Sequence, residues 1–309
     1  MKVQTKWFLY GLTGSLALAL PAFAAPITVV NDSWADGGRD NGADPLDSNW
    51  WTSAASAGIE VSTGMLGMVT GTSGRGIHTV FPTQTLSNIG DSLTATYTFT
   101  TPTTIGTGQT GGFRVGLFDT LGRAGLDGDI AASTGTPNSL YGFFGTNTPG
   151  LPGYMMDMDV GTGAEDLSFR QLDPAVTATT PTGRLLGTAT GFTQISPTGP
   201  DGVYTFAPNT SYTGSMTLLR ISATELEISG SLGAATHSVT DVFDSTSYGM
   251  LAFWANSNVF GSVSTPGSAN NGIDFTNVTI TFTPVPEPGT AALLLAVSGA
   301  MLRRQRPTR

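Results

Sequence analysis

Residues 92–100 read SLTATYTFT, and this stretch limits the folds open to the chain more than any other. Leu93, Ala95, Tyr97 and Phe99 fall on one parity, with Ser92 and the threonines on the other. In an extended strand successive side chains point to opposite faces, so this alternation describes a half-buried β-strand. The same period of two marks 113–118, 154–160, 167–170, 215–222, 225–232, 248–255 and 273–283. No segment of the body sustains a helical period. Turns rich in Gly, Asn, Asp and Pro, such as Thr107-Gly108 and Pro200-Asp201-Gly202, separate the strands. Many short strands at regular spacing predict an all-β sandwich or barrel.

The last strand breaks its own rhythm. Ile273 and Phe275 share one parity, whereas Val278, Ile280 and Phe282 share the other. A single core face therefore needs one extra residue near Thr276-Asn277, which predicts a β-bulge there. Residues 173–190 lack alternation and are expected to form a long surface loop.

The ends differ from the body. Lys2 and Lys6 precede an apolar run from Trp7 to Leu20, and Ala22-Phe23-Ala24 supplies small residues where a signal peptidase cuts. Residues 1–24 are read as an export signal, 25–284 as one sandwich domain and 285–309 as a separate tail. The body keeps seven arginines and no lysine against 21 acidic residues, a surface that repels phosphate backbones and excludes nucleic acid as a partner. The chain contains no cysteine, which excludes disulfides, thiol catalysis and thiolate metal sites.

In the tail, Pro286-Glu287-Pro288 leads into an apolar run of 14 residues, Gly289 to Leu302, closed by Arg303, Arg304 and Arg306. As a helix that run would reach about 21 Å, short of a hydrocarbon core of about 30 Å. Such a segment forms a marginal inner-membrane tether, with its arginines held on the cytoplasmic side as a stop signal. Motif, spacing, order and position together resemble the PEP-CTERM sorting signal of Gram-negative bacteria. The resemblance implies recognition by an exosortase-type transpeptidase, excision of the tail after transient tethering, and delivery to the outer surface or the exopolysaccharide matrix.

Three stretches of the body, NDSWADGGRDNGADPLDSNWW (31–51), GYMMDMDVGTG (153–163) and NNGIDFTNVTITF (270–282), look like bacterial surface proteins with a concanavalin A-like jelly-roll sandwich. That resemblance implies two packed sheets and a lectin-like role. Candidate carbohydrate contacts are Trp34, Trp50, Trp51, Asp157 and Asp159. An aromatic ring can stack on a sugar, but the tryptophans serve equally to fasten the amino-terminal arm, and Trp50 and Trp51 cannot both face the core of one strand. Asp157 and Asp159 project from one face of a strand, where carboxylates could bind sugar hydroxyls or a cation.

Laminarinase-like glycoside hydrolases, which share the jelly-roll fold, carry Glu-x-Asp-x-x-Glu on the corresponding strand. Here Asp stands in place of the first Glu, and no Glu follows Asp159 at short range. Retaining hydrolysis needs two carboxyls about 5 Å apart, so a catalytic role is the lesser alternative. Calcium could be held at Asp127-Gly128-Asp129, around Asp36 to Asp47 or at Asp157 and Asp159, though none has a diagnostic ligand spacing. No cofactor is called for. His78 and His237 are read as strand residues. The expected protein is a non-catalytic, sorted surface or matrix component, with polysaccharide as its candidate ligand and a ligand-free structural role as the alternative.

Overall fold

The computed structural model describes residues 24–285 apart from 41–45, 54–57, 73, 107–108, 123–125, 130–137, 140–142, 145–150, 162–163, 173–184, 188–190, 196–202 and 264. Ala25 to Val285 forms one compact unit. The segments read as an export signal (1–24) and a sorting tail (285–309) lie outside the described residues, except for Ala24 and Val285.

The strands are β1 (Ile27–Asp32), β2 (Trp50–Thr52), β3 (Ile59–Ser62), β4 (Met65–Val69), β5 (Arg75–Thr85), β6 (Ser92–Thr100), β7 (Gln109–Phe118), β8 (Asn138–Ser139), β9 (Phe143–Phe144), β10 (Gly153–Val160), β11 (Leu167–Leu172), β12 (Phe192–Gln194), β13 (Ser211–Arg220), β14 (Glu225–Leu232), β15 (Ala235–Val242), β16 (Ser247–Ala255) and β17 (Gly272–Thr283). They build two antiparallel sheets and a small β8–β9 ladder. One sheet runs β15-β14-β13-β6-β17-β4-β3, with β1 also on β17; the other runs β12-β11-β10-β7-β16-β5-β2. The chain crosses repeatedly from sheet to sheet, as at β5 to β6 to β7 and at β16 to β17. This makes the body a jelly-roll β-sandwich.

The alternation read from 92–100 is the burial pattern of β6, whose even-step apolar residues are inside and whose hydroxyl residues are half exposed. The bulge is present: β17 pairs Phe275 with Phe99 and Asn277 with Thr98, leaving Thr276 as the extra residue. Ile273, Phe275, Val278 and Ile280 are all buried as a result. Between the sheets the core is aromatic. Phe113 and Phe253 stack at 6.4 Å, and Tyr97 meets Phe253 edge-on at 5.2 Å. Each such ring contributes about 1.5–3 kcal/mol on burial, which lets a cysteine-free sandwich stand.

The second sheet carries another apolar layer on its outer face. Met155, Met250, Ala252 and Trp254 project outward from it and are covered by Leu126, Leu151, Leu185, Leu186 and Phe192. This corrects the expectation of a surface loop over 173–190. Its described part, 185–187, is a turn whose two leucines are fully buried, because the sheet beneath presents apolar side chains on both faces.

Candidate functional site

The candidate residues fall into two groups, one where β1 hands over to β2 and one on β10 of the second sheet. The first begins at Asp32, at the end of β1, where the chain leaves the sheet edge. Its carboxylate accepts the Trp34 backbone N–H at 2.9 Å and the Trp50 indole Nε1–H at 2.7 Å, and the Ser48 N–H at 3.4 Å. Burial raises the Asp32 pKa, and these three hydrogen bonds oppose the rise without cancelling it. The Trp34 backbone sits in the left-handed region at φ 50°, a conformation that the Asp32 bond helps to impose.

Trp34 and Trp50 are each only 1% exposed, lie 5.8 Å apart and pack into the core, Trp50 against Phe253. Neither presents a ring face to a sugar, which corrects their assignment as glycan contacts. They fasten the amino-terminal arm instead. Trp51 points the other way, as the strand geometry requires, is half-buried and lies 5.6 Å from the His78 ring. His78 is fully buried in β5, its Nε2 is 2.9 Å from the Leu126 carbonyl, and burial lowers its pKa to about 4. His237 lies in β15 and stacks on Phe169.

The second group centres on Asp157 in β10. Asp157 pairs in register with Arg114 of β7. Its Oδ1 accepts from Arg114 Nε at 3.0 Å and its Oδ2 from Arg170 Nε at 3.0 Å. Arg114 also donates through Nη1 to the Leu186 carbonyl at 2.8 Å, which ties the covering turn to the sheet. Gly111 makes the cluster feasible. At φ 60°, an added Cβ would lie 2.7 Å from both Arg114 Nη2 and Asp157 Oδ1.

Asp157 is 5% exposed with both oxygens committed to guanidinium groups, so it serves as a structural counter-ion and not as a sugar ligand. Two residues on, Asp159 is half-buried and accepts the Gly111 N–H at 2.5 Å. Burial, helped by the charges of Asp166 and Asp157, raises its pKa to about 6. Tyr204 donates its hydroxyl to the carbonyls of Asp159 and Asp166 at 2.7 and 2.8 Å, holding these two backbones together.

The arginine partners were missed by sequence reasoning. The available signal was Arg114 in FRVGLF, a lone charge in a stretch whose other members are apolar or Gly. For the calcium candidates, Asp129 is bound bidentately by Arg39 at 2.9 and 2.8 Å and also accepts the Thr52 N–H. Asp36 accepts the Gly38 N–H as a turn residue. Among the described residues no group of three or more His, Asp or Glu is placed to hold a metal ion.

No protein-family model matches the chain, and no curated protein matches it. Solved structures match in outline. The metal-free Emp46p carbohydrate recognition domain has a TM-score of 0.47 at 10% identity, covering 82% of this chain and 94% of that one. The VIP36 exoplasmic/lumenal domain, in its Ca2+/Man-bound form, has a TM-score of 0.45 at 11% identity, covering 84% and 91%. The endo-1,3-β-glucanase of Streptomyces sioyaensis has a TM-score of 0.41 at 13% identity, covering 86% and 100%. At these values the likeness carries no residue roles, and function is argued from the chain's own side chains.

Proposed function

We propose that the chain is an exported, non-catalytic sandwich of the bacterial outer surface or exopolysaccharide matrix, freed from a transient membrane tether by excision of its tail, with polysaccharide as its ligand. The observation that carries this reading is where the body stops. Val285 donates its N–H to Asp91 Oδ1 at 2.7 Å, and the other Asp91 oxygen accepts the Asn88 N–H at 2.7 Å. Pro286-Glu287-Pro288 follows directly. A cut within that motif leaves the stapled end of the body intact, as a sorting reaction requires. Exosortase and signal peptidase are the processing partners in this reading. Trp51 and Asp159, which keep partial exposure, remain candidates for contact with a glycan.

Intact mass of the protein recovered from cells tests the processing. The expected product begins at Ala25 and ends within 286–288, or is heavier by a conjugated group at that point. Recovery of the full chain with Arg303, Arg304 and Arg306 still attached overturns it.

A hydrolase reading has one observation in its favour: Asp159 stands two residues from Asp157 on the same face of β10, and burial raises its pKa to about 6. A carboxyl raised in this way beside a second one is the pattern of a general acid in glycosidases. Against it stands the commitment of both Asp157 oxygens. Reducing-sugar release that Asp159→Asn abolishes would establish hydrolysis; no release over a broad polysaccharide panel removes it.

A further inference from the structure

The outer face of the first sheet carries two adjoining rows of hydroxyl groups. Reading across the registers, one row runs Ser238, Ser229, Thr217, Thr94, Thr281, Thr28. The neighbouring row runs Thr236, Ser231, Ser215, Thr96, Thr279, Asn31. Each row crosses six strands, and strands about 4.8 Å apart make it about 24 Å long, with about 6.7 Å between rows. Eleven of these twelve positions are Ser or Thr, and none is charged or aromatic, in a body carrying 21 acidic residues. All twelve are half-buried or exposed. Strand propensity explains threonine on a sheet surface, but Val, Ile and Tyr suit the pleat as well and are absent here.

The hydroxyls are ordered laterally. Thr94 bonds to Thr217 at 2.9 Å, Ser215 to Ser231 at 2.8 Å and Thr98 to Thr213 at 3.0 Å. A hydroxyl has one donor and two acceptor sites, so each paired group retains bonding capacity toward the outside. An open groove of about 910 Å³ lies at the β13–β15 end, lined in part by Ser215, Ser229, Ser231, Thr236 and Ser238.

The chemistry of this face selects its partner. Protein interfaces rely on aromatic, Met and Arg anchors and are poor in Ser, so a protein partner finds no anchor here. Nucleic acid needs cations, and a membrane surface needs apolar side chains. A neutral polymer with closely spaced hydroxyls matches the two rows donor for acceptor without desolvating a charge on them, and Glu227, the carboxylate that lines the groove, can accept a sugar hydroxyl. Because no ring is present for stacking, each contact is weak and binding comes from repetition along the polymer. We infer that the outer face of the first sheet, from the β13–β15 groove at one edge along the two hydroxyl rows, binds a neutral hydroxyl-rich polysaccharide chain. The inference rests on the reading of the protein as a matrix component and assigns the ligand contact to a face outside the Trp51 and Asp159 region.

Co-sedimentation of the exported protein with cellulose, chitin and an insoluble β-1,3-glucan tests it, with anionic alginate for contrast. Retention on at least one neutral polymer is expected, insensitive to salt. The variant Thr94→Val/Thr217→Val/Ser215→Ala/Ser231→Ala removes both partners of two hydroxyl pairs, so no buried group is left unpaired. It should bind at least about fivefold less, losing the multivalent term. Thr236→Lys, on an exposed edge-strand position, should lower retention without touching the core, and keeps the test valid if the quadruple variant does not fold. Undiminished retention of both variants overturns the assignment to this face while leaving polysaccharide binding standing. No retention of the unaltered protein on any polymer removes polysaccharide binding altogether. Adsorption to growing ice in place of the glycans would reassign the array to ordered water and overturn it as well.

Discussion

The outer faces of the two sheets are opposites. The second sheet turns Met155, Met250 and Trp254 outward, covers them with leucines and seals an ion cluster beneath, whereas the first sheet leaves two hydroxyl rows open to solvent. One face spends its side chains on stability and the other presents chemistry. The difference also shows that carboxylates on a strand are not by themselves a site: Asp157 sits where a sugar ligand was expected and neutralises two arginines instead.

The strongest way to break this contrast is Asp157→Ala. It leaves buried Arg114 and half-buried Arg170 without their counter-ion and should lower unfolding free energy by about 3–5 kcal/mol in urea titrations. A loss below about 1 kcal/mol, the range of an exposed pair, would mean that the second face is as open as the first. Next in size is Gly111→Ala. Its Cβ would collide with the Arg114–Asp157 pair from a left-handed backbone, and a loss of about 1–3 kcal/mol is expected by the same measurement.

A pH series sharpens the contrast with one carboxyl from each face. Asp159 on the second sheet and Asp274 on the first both have pKa values raised from 3.8 to about 6, chiefly by burial, with the charge of Glu60 adding to Asp274. Because the folded values exceed the unfolded ones, their stabilising contribution is complete below about pH 4 and is lost as pH rises through about 6. Asp159→Asn and Asp274→Asn should each raise Tm at pH 7 and leave it unchanged at pH 4. Equal Tm gains at both pH values would disprove this. Smallest of all, Thr94→Val with Thr217→Val should change stability by no more than about 0.5 kcal/mol, since both hydroxyls of a half-buried pair leave together and neither is left unpaired. A loss above about 2 kcal/mol would show that the hydroxyl rows are part of the fold's support.

What was legible in the sequence follows from local geometry. The β6 alternation and the Thr276 bulge are properties of single strands, so parity alone revealed them. The opposed orientations of Trp50 and Trp51 were legible for the same reason. Which of the two faced inward was not, because that depends on Asp32 accepting the Trp50 indole from 18 residues away. The cover on the second sheet was hidden too, since Leu126, Leu151, Leu185 and Leu186 come from turns without periodicity. The hydroxyl rows were present strand by strand, but their alignment needs registers that no single strand contains.

The strand that carries the bulge has a further consequence for biogenesis. β17 is flanked by β6 on one side and by β4 and β1 on the other, so the first sheet stays in three separate pieces, β1, β3–β4 and β6-β13-β14-β15, until residues 272–283 arrive. Pairing over such sequence distances is slow. During synthesis from the amino end the sandwich therefore stays unclosed until its keystone strand, the last of the body, has been made.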